Sequence, residues 1–90
     1  MFRSNTLYLR VTAEGQVVGV YPLNKNHKET FISSLGSNVL IIKNGIAYIE
    51  SADCPNQICV HSIGIDSPGE TIACLPHQLL LEVCTNDLQN

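Results

Sequence analysis

The sequence predicts an all-β domain: a small antiparallel barrel or sandwich of about seven strands with one short helical turn. Three observations carry that expectation. Apolar and polar residues alternate with a period of two near both ends of the chain. Glu14-Gly15 and Asn44-Gly45 fall between β-prone runs, where a tight hairpin turn calls for positive φ. Up to residue 51, no segment spaces its apolar residues at the 3.6-residue period of a helix.

Thr6–Ala13 puts Leu7, Leu9 and Val11 on one face and Thr6, Tyr8, Arg10 and Thr12 on the other, the pattern of a half-buried strand. After the Glu14-Gly15 turn, Gln16–Leu23 is the return strand. Its Pro22 has no N–H to give a ladder and so belongs at the strand end or on an edge. Asn24–His27 reads as a polar loop. Lys28–Ser33 is a short strand around Phe31 and Ile32, and Ser34–Asn38, with Gly36, breaks it. Val39–Lys43, Asn44-Gly45 and Ile46–Ser51 form the clearest hairpin, with Asn-Gly as a type I′ turn.

The stretch Asp53–His77 interrupts this rhythm. Cys54-Pro55-Asn56 opens a turn or a single helical turn over Asn56–His61, because proline near a helix start lacks only a donor that would go unused there. Gly64 and Ser67-Pro68-Gly69 make further turns. Thr71–Leu75 is a strand punctuated by Pro76. The last strand, His77–Val83, sets His77, Leu79, Leu81 and Val83 on one side and Gln78, Leu80, Glu82 and Cys84 opposite. Residues 1–90 make one domain with its core at about 6–83, and 84–90 are a polar tail.

Composition narrows the function. An apolar fraction of 44% with 14% charged residues suits a folded domain and argues against disorder. Five basic residues and a net charge of −3 supply no clustered Lys or Arg for a phosphate backbone; Lys25 with Lys28 comes nearest. Nucleic acid is therefore not expected as a partner. No apolar run approaches a membrane span, and the first ten residues lack the apolar stretch of a signal peptide, so membrane attachment would need a segment outside these residues. No glycine-rich phosphate loop or nucleophile elbow is present. Cys59 near His61 could form a thiolate–imidazolium couple only if the two shared a face; no enzyme activity is expected.

Asp53 to His77 holds three of the four cysteines. The run Ala52-Asp53-Cys54-Pro55-Asn56-Gln57-Ile58-Cys59-Val60-His61, then Pro68-Gly69-Glu70-Thr71-Ile72-Ala73-Cys74-Leu75-Pro76-His77, after a hairpin-rich first half, resembles the NusG domain II-like family. These are small stand-alone β-domains similar to the inserted second domain of some bacterial NusG transcription factors. The resemblance spans roughly Thr6 to Val83. It implies a compact all-β domain in a bacterial protein, often tethered outside the membrane by an N-terminal apolar segment, and it implies no known activity. The acidic balance argues against carrying over a transcription-associated role, which stands as an alternative.

The residues themselves leave the cysteines with three readings. Cys59-x-His61 and Cys74-x-x-His77 follow the ligand order of a Rieske [2Fe–2S] site, although the gap between them is short and Gln78 stands where such a loop usually has glycine. The same four side chains suit tetrahedral zinc in donor type, but not in the spacing of a zinc motif. The favoured reading is a disulfide within Cys54, Cys59 and Cys74. Closing a loop of about 15 residues would add roughly 3 kcal/mol in the chain-entropy model. Cys84 pairs with nothing obvious. His77 is expected as a hydrogen-bonded structural histidine, His61 as exposed, and Asp53 as an acceptor for backbone N–H groups. The expected function is a non-catalytic interaction or structural domain without cofactor, outside the cytoplasm, binding an unknown protein. Its contact loop would draw on Asp53, Pro55, Asn56, Gln57, His61 and Asp66.

Overall fold

In the computed structural model, which describes residues 7–53 and 57–85 apart from the side chains of Ile58 and Cys59, two-residue turns organise the first half of the chain. β1 (Leu7–Ala13) and β2 (Gln16–Pro22) meet at Glu14-Gly15, where φ is +51° and +83°. β4 (Gly36–Lys43) and β5 (Ile46–Ala52) meet at Asn44-Gly45, with φ of +54° and +79°. Two successive positive φ values are what a type I′ turn needs to match strand twist. β3 (His27–Ser33) joins β4 through Ser34-Leu35. Beyond residue 57 come one helical turn, α1 (Ile58–His61), then β6 (Thr71–Cys74), a 3₁₀ turn (Leu75–His77) and β7 (Leu79–Thr85).

Several boundaries differ from the sequence expectation. His27 opens β3 instead of closing a loop, and Ser34–Asn38 is not one break but a two-residue turn followed by the start of β4. The structure moves His77 off the last strand. Pro76 has a φ suited to a tight turn, so Leu75–His77 coils into 3₁₀ geometry, and Gln78 reverses the chain at φ +55° before β7 begins.

The strands form two antiparallel sheets, one ordered β2-β1-β7-β6 and the other β3-β4-β5. Their inner faces share one core that includes Leu9 and Val11 of β1, Leu40 and Ile42 of β4, Ile49 of β5, Ile72 of β6 and Leu81 and Val83 of β7. A fully buried leucine or isoleucine contributes about 1.5–3 kcal/mol, so this small cluster holds the domain together.

The two sides of the sandwich are unlike. On one side, Ile65 bridges Ala47 through both backbone bonds, at 2.9 and 2.8 Å, and α1 packs between β5 and β6. On the other, β2 and β3 belong to different sheets and do not pair, so the sandwich stays open there and does not close into a barrel.

Candidate functional site

The open side is a groove of about 570 Å³. Its walls are the β1–β2 turn with Glu14, Gln16 and Val18 on one side and Thr30 to Ser33 of β3 on the other. Buried Asn38, His77 and Leu79 form its floor. Val18 reaches the groove through a β-bulge: Thr12 pairs with Val17 and Val11 with Gly19, which leaves Val18 as the extra residue. Val18 is 48% exposed and Ile32 79% exposed.

His77 is the polar centre of the floor. The 3₁₀ turn carries it inward, and its ring links the two sheets through Nδ1, 2.7 Å from Asn38 Oδ1 on β4, and Nε2, 3.1 Å from Asp53 Oδ1 just after β5. Two arrangements satisfy both contacts. Either an imidazolium donates from both nitrogens, or Asn38 presents its amide N–H₂ to Nδ1 and Nε2–H of a neutral ring donates to the carboxylate. Asp53 Oδ1 also accepts the Ser37 N–H at 3.0 Å, while the Asp53 N–H donates to Ser37 O at 3.3 Å. One carboxylate thereby fastens the end of β5 to the start of β4.

Gly36 makes room for this junction. A Cβ there would collide with His77 Nε2 and Asp53 Oδ1, and its φ of +143° already disfavours a side chain. Outside the groove lining, Tyr21 of β2 lies over Gly19 and reaches β3, stacking on His27 at 4.8 Å and meeting Phe31 edge-on at 6.4 Å. Burial, with Glu29 nearby, pushes the Tyr21 phenol up from its ordinary value.

The family-model comparison matches NusG domain II over residues 1–87. The chain belongs to the NusG domain II family. Among solved structures, a DUF1312 family protein from Ruminococcus gnavus is 44% identical, with a TM-score of 0.76 over 87% of this chain and 97% of that one. A DUF1312 family protein from Enterococcus faecalis (24% identity, TM-score 0.85, 91% of this chain and 100% of that one) has the same fold. So does the Lin0431 protein from Listeria innocua, at 22% identity and a TM-score of 0.83 over 91% and 99% of the two chains. The comparison with curated proteins gives no match.

The NusG domain II fold distributes the residues singled out in the sequence. Cys54, Pro55, Asn56 and the Cys59 side chain lie outside the described residues. Cys74 is buried at the end of β6, and α1 packs against that strand. His61 is exposed on α1, away from the groove floor that holds His77. Among the described residues no three His, Cys, Asp or Glu side chains gather into a metal-binding group. Gln57 takes a left-handed φ of +57° and donates from Nε2 to Ala52 O at 2.7 Å. Asp66 and Ser67 give their N–H groups to Glu70 Oε1 at 2.9 and 3.0 Å. Those two bonds hold the Glu70 carboxyl below its ordinary range. Burial pushes the Cys84 thiol up, against the pull of Arg10.

The groove itself escaped the sequence reading. Its one legible trace was Asn38, a polar residue at an inward position of a strand whose other inward residues, Leu40 and Ile42, are apolar.

Proposed function

We propose that this NusG domain II protein is a non-catalytic interaction domain that works outside the cytoplasm, without cofactor, by holding a protein partner in the groove between β2 and β3. The observation that carries the reading is the groove's make-up. Apolar side chains stand exposed along its walls, while the polar groups of its floor are already paired with one another. Such a surface offers contact area to a partner.

A disulfide within Cys54, Cys59 and Cys74 belongs to the same reading. The structure draws no disulfide to Cys74, and what supports the reading is that the helical turn bearing Cys59 packs on the strand that ends in Cys74. A bridge there would fasten the closed side of the sandwich and leave the groove side untouched.

A photo-cross-linking amino acid placed at Ile32, in cells of the bacterium that makes the protein, tests the interaction. The expected result is a discrete protein adduct from position 32 and none from Thr71, which is exposed on β6 outside the groove. Equal labelling from both positions, or none from either, overturns the reading.

A further inference from the structure

We infer that the groove takes an extended polypeptide segment that adds as a fourth strand, antiparallel, to the outer edge of β3; this rests on the interaction reading and names the partner's chemistry. Four strands, β2, β6, β3 and β5, lie at sheet edges. β6 is only four residues long. β5 is covered by Ile65 and α1. β2 is distorted by the bulge at Val18 and ends in Pro22. β3 alone runs seven residues in unbroken register with its neighbour, from His27 opposite Ile42 to Ser33 opposite Gly36. Bulges, prolines and very short strands protect an edge from pairing, and β3 has none of these; charge alone guards it, at Lys28 and at Glu29, which lies opposite Leu40.

The turn fixes which backbone groups face outward. In a two-residue hairpin the residues flanking the turn exchange both bonds, so Ser33, Phe31, Glu29 and His27 bond inward to β4. Lys28, Thr30 and Ile32 therefore direct their N–H and C=O groups away from the sheet, and Thr30 and Ile32 also line the groove.

The charges along this edge select the occupant. A second copy pairing through the whole of β3 would turn about Thr30, setting Lys28 against Ile32 and Glu29 against Phe31. Lys28 reaches Glu50 at 3.8 Å and Glu29 meets His27 at 3.1 Å, and because both pairs are exposed an incoming strand can replace them, with an acidic residue opposite Lys28, a basic one opposite Glu29 and apolar ones opposite Phe31 and Ile32. The groove lining also carries Glu14, and no Lys or Arg is among its described residues, so a basic residue at the strand's first position complements it. Main-chain bonds supply affinity in such strand addition, and the alternating side chains supply selectivity.

The probe is the peptide Lys-Thr-Val-Val-Thr-Lys-Glu-Thr, titrated into isotope-labelled protein. At a peptide concentration ten times Kd, exchange of the Thr30 and Ile32 amides is expected to slow about tenfold. Exchanging the peptide's Lys and Glu residues, or N-methylating the Thr opposite Thr30, is expected to weaken binding, as is Ile32→Lys in a domain that still unfolds at its original midpoint. Unchanged exchange at Thr30 and Ile32 overturns strand addition. So does protection of both amides by self-association of the protein alone. If strand addition fails while cross-linking from position 32 stays specific, the interaction reading survives without it.

Discussion

His77 joins the two sheets through a single ring, and its removal costs both partners. His77→Ala would leave the Asn38 amide facing a cavity and release Asp53 from its cationic or N–H partner. The expected loss is about 2–4 kcal/mol, combining an unmade buried hydrogen bond with a cavity, read as a lower midpoint in urea unfolding. Gly36 is tied to the same junction. Gly36→Ala is expected to destabilise more than Gly69→Ala, because both positions have positive φ but a Cβ at Gly69 meets nothing within 4 Å. Left-handed backbone costs each alanine roughly 1–2 kcal/mol, and the collision with His77 and Asp53 adds to that only at position 36. Equal losses in the two variants would mean that the junction yields easily.

At the scale of single elements, the loop before β6 is held by Glu70. Its carboxylate accepts two backbone N–H groups, so its folded pKa lies below the unfolded value. The stabilisation is therefore present above the ordinary glutamate value of about 4.3 and fades as pH falls below it. Glu70→Gln is therefore expected to unfold more readily than the parent at pH 7 and to converge with it in acid. A thermal-melt series across pH checks this, and a gap independent of pH would contradict it.

The elements differ in how plainly the sequence announced them. Asn44-Gly45 and Glu14-Gly15 were legible because positive φ restricts the residues that can serve, and the alternation of Leu79, Leu81 and Val83 marked the buried face of β7. Ser34-Leu35 was not legible, since neither residue carries a turn preference strong enough to outweigh Gly36 two positions later. His77 was read correctly as a hydrogen-bonded residue but on the wrong element. Local alternation cannot show that Pro76 coils the chain, nor that the ring's partners come from positions 38 and 53. The groove was invisible for a related reason. Val18, Ile32 and Phe31 look like core residues in sequence, and only the order of strands in the two sheets places them along an unpaired side.

The whole molecule is an asymmetric sandwich. One side is closed by α1 and the Ile65 bridge, and the other is open along β3. Residue-resolved amide hydrogen exchange on the protein alone tests this asymmetry most directly. The structure requires slow exchange at Glu29 and Phe31, whose N–H groups bond to β4, and exchange approaching that of loop amides at Thr30 and Ile32. Uniform protection along His27–Ser33 in the monomer would contradict the account, because something would already be paired with the edge that it leaves open.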